Sequence, residues 1–279
     1  MFMKLTKQDF ELALPVGISA HDEVYEAVSP AIATALDNYC SMLLGDVGIK
    51  RVTESEEDSQ LKRYFNMLVC IDGFLSVFRQ LDLVLTPTGF GIVSNDTISP
   101  ASKQRVDALE GSLRTALCRA RAMTVHLLRS AEWGCTAAAR NFIRYIFTEH
   151  YFFFNPQATA SLSYQDWLNM QPAIVDTDEQ LRLRFGDEQV DDLLDAYRCS
   201  DHDRLTPYAS VLQLCCDFTS RWSTMGKSAL ATPQYRRLVR EIESDSTTYA
   251  IYHGSEAYKA ANVEPFANTK ESSAFVFNA

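Results

Sequence analysis

The sequence predicts an all-α helical bundle that carries a small β-hairpin insertion and an extended C-terminal arm. Apolar residues recur at steps of three or four along most of the 279-residue chain, which is the period of one helix face. Hydrophobic residues make up 47% of the chain and charged residues 22%, as in ordinary globular proteins. This length allows one large domain or two modest ones. We expect a helical N-terminal half at 1–155, a helical C-terminal half at 156–261 and the arm at 262–279.

The first two long helices are predicted from apolar stripes. The earlier stripe is Val24, Val28, Ala31, Ala35, Tyr39 and Met42. Ser19 is expected to cap this helix, and Gly45 and Gly48 to end it. Pro30 is expected to kink or split it, because the proline ring clashes with the preceding turn. The later stripe is Leu61, Tyr64, Phe65, Leu68, Ile71, Leu75 and Phe78.

The apolar period changes after Phe78, which predicts a β-hairpin at 83–94. Two short apolar runs flank Thr86-Pro87-Thr88-Gly89, whose Pro at the second position and Gly at the fourth suit a type I turn. A helix is then expected to restart at Ser99-Pro100, with Ser as the N-cap and Pro as the first helical residue. A further helix is expected over Glu132–His150, before Asn155-Pro156 stops it.

The second half of the chain is predicted to be a distant duplication of the first. Pro-Ala-Ile at 30–32 leads to Gly45-Asp46, and Pro-Ala-Ile at 172–174 leads to Gly186-Asp187 after nearly the same distance. The later stripe of the first half matches an apolar set 147 positions further on: Tyr208, Val211, Leu212, Cys215, Phe218, Trp222 and Met225. Any two amphipathic helices align at some offset, so this match alone is open to chance. The shared order of signals, including a helix restart at Thr232-Pro233, favours duplication.

Charge and composition exclude several classes of protein. The net charge of -10 argues against general nucleic-acid binding, which needs surplus cations, although a local basic strip stays open. No apolar run approaches the ~20 residues that span a bilayer. Asp9 and Glu11 stand where a secretion signal needs an apolar segment. Seven cysteines without regular spacing predict reduced thiols in a cytosolic compartment.

Known catalytic motifs are missing from the sequence. Gly226-Lys227-Ser228 is a partial phosphate-loop match, but Arg221 stands where the first glycine belongs, so we expect a helix terminus there. There is no Gly-x-Ser-x-Gly nucleophile elbow. The sequence therefore predicts no catalytic residues and no cofactor.

One polar cluster keeps an alternative function open. Cys199 and His202, with Cys215-Cys216 beyond them, match no zinc-site spacing, and we predict no metal site. Asp201-His202-Asp203 is interpreted as a charged loop. An enzyme or ligand-binding helical domain that uses this cluster is the less favoured hypothesis.

Three elements of the chain together resemble an uncharacterised helical family encoded in tailed phages and prophages of gut bacteria. They are the 85–105 segment with Leu-Thr-Pro-Thr-Gly-Phe-Gly-Ile-Val-Ser-Asn, Ile146-Phe147 with the later Trp167-Leu168 and 171–174, and the terminal Phe275-Val276-Phe277. That family is similar in helical layout to phage head–tail connector (adaptor) proteins, whose subunits form a ring between portal and tail.

The resemblance implies a non-enzymatic subunit of a homo-oligomeric ring in the virion neck. Such a subunit is made in the host cytoplasm, contacts portal and tail proteins and no membrane, and lets DNA pass without sequence-specific binding. The alternative is another virion protein, such as a tail-completion or capsid-associated factor.

A ring subunit needs two unlike, complementary patches, because its contacts are head-to-tail. We expect the hairpin and the arm to supply them, since an apolar arm can add a strand to a neighbouring subunit. Phe275 and Phe277 would point to the same side of such a strand. The candidate interface residues are Leu83, Leu85, Phe90, Ile92, Phe275, Val276 and Phe277.

Overall fold

The computed structural model describes residues 4–14, 22–56, 59–81, 83–86, 89–92, 102–155 and 162–263. These residues confirm the predicted all-α fold. The first half contains α1 (Lys7–Ala13), α2 (Asp22–Tyr39), α3 (Gly45–Glu54), α4 (Gln60–Val77), α5 (Lys103–Leu128), α6 (Ala131–Gly134), α7 (Ala137–Phe142) and α8 (Glu149–Phe154). The second half contains α9 (Tyr164–Phe185), α10 (Asp187–Cys199), α11 (His202–Met225), α12 (Pro233–Ser244), α13 (Ala250–Gly254) and α14 (Glu256–Ala261).

Two short strands lie within the segment expected to form the hairpin. Strand β1 (Leu83–Thr86) and strand β2 (Gly89–Ile92) pair antiparallel, with Leu83 opposite Ile92. Residues 87–88 and 93–94 lie outside the described residues, so the insertion over 83–94 stays a prediction. The expected helix restart at Ser99-Pro100 is also outside them, and α5 is described from Lys103 onward.

Helix α4 is the centre of the N-terminal half and packs against α1, α2 and α5. Its predicted stripe is confirmed at Leu61, Phe65, Leu68 and Ile71, all of which are buried. The Phe74 ring meets Phe10 of α1 edge-on, with 6.0 Å between ring centroids. Burial of this face, rather than helix propensity, holds the four helices together.

Of the two outcomes expected at Pro30, a kink or a split, the split of the first long helix is wrong. Helix α2 runs through Pro30 without a break. Proline has no N–H to donate to the Glu26 carbonyl one turn earlier, but the Ser29 hydroxyl donates to that oxygen at 3.1 Å. The helix ends at Tyr39 in a π-helical turn over Cys40–Leu44, and Gly48, expected as a terminator, lies inside α3.

Helix α11 is the centre of the C-terminal half, with α9 and α12 packed against it. The Thr177 hydroxyl of α9 hydrogen-bonds the Thr219 hydroxyl at 2.9 Å, and the Phe218 ring lies 4.8 Å from the Tyr235 ring of α12. The predicted stripe is buried at Tyr208, Val211, Cys215, Phe218 and Trp222. As expected, α11 ends at Gly226, where the positive φ of 55° suits glycine.

The expected single helix over Glu132–His150 is wrong, because three short helices replace it. Ser130, Thr136 and Thr148 each accept a hydrogen bond from a backbone N–H three residues later and so start a new helix. Between α7 and α8, the Arg198 guanidinium donates to the Ile143 carbonyl at 3.2 Å. The hydroxyl caps and this buried arginine therefore stabilise a series of short helices. Apolar periodicity alone does not predict where such helices end.

Both halves show a similar order of elements. Each half contains a long helix with an internal proline, α2 or α9. A glycine of positive φ follows, Gly45 or Gly186, and the next helix, α3 or α10, has an acidic first turn. The helix restart at Thr232 is confirmed, since its hydroxyl accepts from the Tyr235 N–H. The duplication itself stays a prediction.

Candidate assembly faces

The outer face of α9 carries an exposed aliphatic stripe. The opposite face buries Ala173, Ile174, Thr177, Leu181 and Phe185. On the outer face Leu168 is 40% exposed, Val175 41% and Leu183 75%, at spacings of seven and eight residues. At 1.5 Å of rise per residue the stripe is about 22 Å long. With the exposed Pro172, these residues form what we call the α9 ridge.

Carboxylates surround the α9 ridge. Asp176 and Glu179 are exposed on the same helix, and the start of α10 adds Asp187 and Glu188. Arg182 pairs with Asp187 at 3.2 Å, whereas neither Glu179 nor Glu188 has an ion pair among the described residues. The ridge is therefore an apolar surface in acidic surroundings. Glu179 lies one turn after Val175 and one turn before Leu183, so the ridge is a row of separated apolar residues with a carboxylate among them, rather than a contiguous apolar patch.

The outer face of α12 is basic. This helix buries Leu238 and Ile242 toward α11, and Arg236, Arg237 and Arg240 are exposed on its other side. Arg237 lies 3.7 Å from Glu241, whereas Arg236 and Arg240, one turn apart, have no ion pair within the described part of the chain. We call these three arginines the α12 face.

The α9 ridge and the α12 face lie on two helices that both pack against α11. Thr177 of α9 contacts Thr219, and Tyr235 of α12 contacts the neighbouring Phe218. Arg184 of α9 also pairs with Glu243 of α12, so the two helices are linked. Their exposed residues differ in charge: carboxylates accompany the α9 ridge, and arginines make up the α12 face. The N-terminal half has its own isolated exposed apolar residues, among them Leu12 at 74% exposure.

The interface residues predicted from sequence are not tested by the structure. Leu83, Leu85, Phe90 and Ile92 lie on β1 and β2, of which only the backbone is described. Phe275, Val276 and Phe277 lie outside the described residues. The α9 ridge was missed by the sequence reasoning, although the recurrence of Leu168, Val175 and Leu183 along one face is a signal that could have found it.

A cleft of about 840 Å³ lies where α5 meets the start of α9. Arg79 spans its mouth and pairs with Asp107 at 2.6 Å and with Glu110. Glu110 also accepts from Arg114 at 2.8 Å. These ion pairs join Arg79, which follows α4, to α5, whereas Arg119 in the same lining donates, among the described residues, only to the Leu162 carbonyl and keeps a buried Nε without a hydrogen-bond partner.

The polar cluster at 199–203 spans the end of α10 at Cys199 and the start of α11 at His202. The interpretation of Asp201-His202-Asp203 as a charged loop is wrong, because the Asp201 carboxylate caps α11 by accepting from the Asp203 and Arg204 N–H groups. The Cys199 thiol lies 3.9 Å from that of Cys135. No group of three His, Cys, Asp or Glu side chains within the described ranges is placed to hold a metal ion.

Two histidines stack where α5 meets α8. The ring centroids of His126 and His150 lie 3.6 Å apart, with 11° between the ring planes. Arg129 lies beside them, over the Tyr197 ring of α10. Burial, with the positive charge of Arg129, lowers the pKa of His126 to about 3 and that of His150 to about 4. Both rings are therefore neutral at pH 7.

These observations define an all-α protein with two unlike exposed faces on its C-terminal half. Residues 24–142, from α2 to the end of α7, match the model of a family of unknown function (DUF6712). No curated protein and no solved structure matches the chain. None of the helices in the described ranges combines the length and the apolar character needed to cross a membrane.

Proposed function

We propose that this protein is a non-enzymatic structural subunit of a phage neck, a head–tail connector (adaptor) that forms a ring between portal and tail. The observation that carries the proposal is the pair of unlike exposed faces, the α9 ridge and the α12 face. A head-to-tail ring requires each subunit to present one patch and its complement. The sequence resemblance to the phage family supplies the place in the virion.

The chemistry of the two faces is complementary. The aliphatic stems of Arg236 and Arg240 on one copy can cover Val175 and Leu183 on the next, because arginine packs its methylenes on apolar surface and keeps its charge outward. Their guanidinium groups would then meet carboxylates such as Glu179. Apolar burial contributes about 25 cal/mol per Å² to such a contact, and opposite charge sets its orientation.

The remaining parts of the proposal rest on the net charge and on the sequence resemblance to the phage family. A net charge of -10 repels DNA, so DNA passes through the channel without sequence-specific binding. The hairpin and the C-terminal arm supply further contacts to the portal above and the tail proteins below. The subunit is made in the host cytoplasm and acts in the virion neck, with no membrane partner.

Assembly of the purified chain tests the proposal directly. Mass photometry across a concentration series, with and without portal particles, is expected to show rings or portal-bound subunits. The double variant V175E/L183E should lose this assembly, because it places charge on the α9 ridge. Leu12→Glu is the control for an added surface charge, since Leu12 is as exposed as Leu183 but lies on α1. A wild-type chain that stays monomeric and ignores portal particles would overturn the proposal.

A charge reversal and an image of the particle complete the test. R236E/R240E should weaken assembly about as much as V175E/L183E does, and rising salt should weaken wild-type assembly. Density of the protein in intact particles should form a ring at the portal exit. Density at another position would instead favour a tail-completion or capsid-associated protein.

A further inference from the structure

Two accessible thiols face each other where the two halves of the chain meet. Cys135 directly follows α6, and Cys199 is the last residue of α10. Their sulfur atoms are 3.9 Å apart although 64 positions separate them in sequence. Cys135 is exposed and Cys199 is partly buried, so reagents in solution can reach the pair.

The backbones that carry these thiols are in direct contact. A Cβ atom built on Gly134 would lie 2.6 Å from the carbonyl carbon and oxygen of Arg198 and from the Cys199 nitrogen. Glycine is therefore required for this approach, and it brings the next residue, Cys135, beside Cys199. A disulfide needs sulfur atoms about 2.05 Å apart on neighbouring backbones, so bond formation has to bring the two sulfur atoms, now 3.9 Å apart, closer together.

The other cysteines lack this arrangement. Cys70, Cys118, Cys215 and Cys216 are buried, and burial raises the pKa of each thiol, which keeps it in the unreactive protonated form. Cys40 is partly buried and has no thiol partner among the described residues. Burial also raises the pKa of the Cys199 thiol, so accessibility and the 3.9 Å approach, rather than acidity, distinguish the pair at 135 and 199.

We propose that Cys135 and Cys199 form a reversible disulfide site that locks the junction of the two halves. The oxidant is a small disulfide such as oxidised glutathione. The Cys135 thiolate attacks one sulfur of that disulfide and releases one glutathione thiolate. The Cys199 thiolate then attacks the Cys135 sulfur and releases the second. The two cysteines lose two electrons to the small disulfide, and their two protons leave with the two glutathione thiols.

This site gives the protein two redox states. The bond stays open in a reducing cytoplasm and closes in an oxidising medium. If the protein is a neck subunit, the disulfide forms after the particle leaves the host cell. Only this timing rests on the proposed function. Closure links positions 64 residues apart and so restricts the unfolded chain, which raises thermal stability.

The test uses the isolated full-length chain, so it does not depend on ring assembly. Native protein treated with oxidised glutathione is expected to lose two hydrogen atoms in intact mass, and peptide mapping should find Cys135 linked to Cys199. The melting temperature should rise by about 5–10 °C and return when dithiothreitol is added. Cys199→Ser should instead hold glutathione on Cys135, and Cys40→Ser should behave as wild type.

Three results would overturn the inference. They are glutathione adducts on both residues without a crosslink, a crosslink between other cysteines, and native protein that keeps both thiols in excess oxidant. Mass photometry on the same oxidised and reduced samples reports assembly separately. Rings without a disulfide would contradict only the redox inference. A disulfide in a protein that stays monomeric would contradict only the proposed function.

Discussion

Gly73 of α4 lies directly against the backbone of Ile32 of α2. A Cβ atom on Gly73 would be 2.7 Å from the Ile32 Cα and 2.8 Å from its nitrogen. Backbone atoms inside a helix cannot yield as a flexible side chain can. The closest approach of these two helices therefore depends on the missing side chain at position 73.

We expect Gly73→Ala to destabilise the protein although alanine favours helices. Overpacking of this kind costs about 1–3 kcal/mol, which exceeds the gain of roughly 0.5–1 kcal/mol from replacing a helical glycine. Gly111→Ala on α5 is the matched control, because a Cβ there meets nothing within 4 Å and should stabilise. Urea unfolding followed by circular dichroism measures both. Equal effects from the two substitutions would refute the packing argument.

The stacked histidines predict a loss of stability in acid. The folded pKa values of about 3 and 4 lie below the ordinary 6.5, so the unfolded chain binds more protons between those values. The free energy of unfolding then falls as the pH drops from about 6.5 toward 4. The pair shares its cavity with Arg129, Glu149 and Tyr197. Because both rings are only partly buried, solvent screening leaves roughly 1 kcal/mol for each histidine.

His150→Phe isolates this effect from the carboxylates that titrate in the same range. Phenylalanine keeps a ring between His126 and Phe154, whose centroid lies 5.2 Å from that of His150, but it does not titrate. Unfolding free energies of both proteins should be measured from pH 4 to 7. The variant should show the shallower decline in acid, and parallel curves would count against the prediction.

The ion pair of Arg121 and Glu149 should couple α5 to α8. The guanidinium donates to both carboxylate oxygens, at 2.6 and 2.9 Å, and the pair is largely shielded from water. Glu149→Gln should cost about 2–3 kcal/mol, because it leaves a shielded cation without its counter-charge. The double variant R121M/E149Q should be less destabilised than the sum of the single variants. Additive effects in the unfolding cycle would show that the two charges do not interact.

The two apolar extensions predicted from sequence can be tested by assembly. Phe90→Asp should reduce assembly more than it lowers the melting temperature.

Deleting Asn268–Ala279 should leave helical content unchanged by circular dichroism and weaken association. If the truncated chain unfolds, the arm belongs to the core and is no interface.

The central helices were predictable because their pattern and their burial agree. In α4, spacing alone predicts that Leu61 and Phe65 belong to the core, and both are buried. Pro30 does not end α2, because the Ser29 hydroxyl locally replaces the donor that proline lacks. The breaks between 132 and 150 depend on single hydroxyl caps and on Arg198, which comes from the other half of the chain.

The assembly faces were harder to predict from sequence. Helix α9 has apolar residues on both sides, with Ile174 buried and Val175 exposed as immediate neighbours. Hydrophobicity alone cannot decide which side meets α11. That choice depends on tertiary partners such as Thr219, which hydrogen-bonds Thr177 and so turns the aliphatic stripe toward solvent.

The approach of Gly134 to Arg198 also limits how this chain can evolve. The side chain of any larger residue at position 134 would clash with the carbonyl of Arg198 and force the two backbones to separate. Descendants of this sequence can exchange many surface residues freely. At position 134, however, they must keep glycine or repack the contact between the two halves around a larger residue.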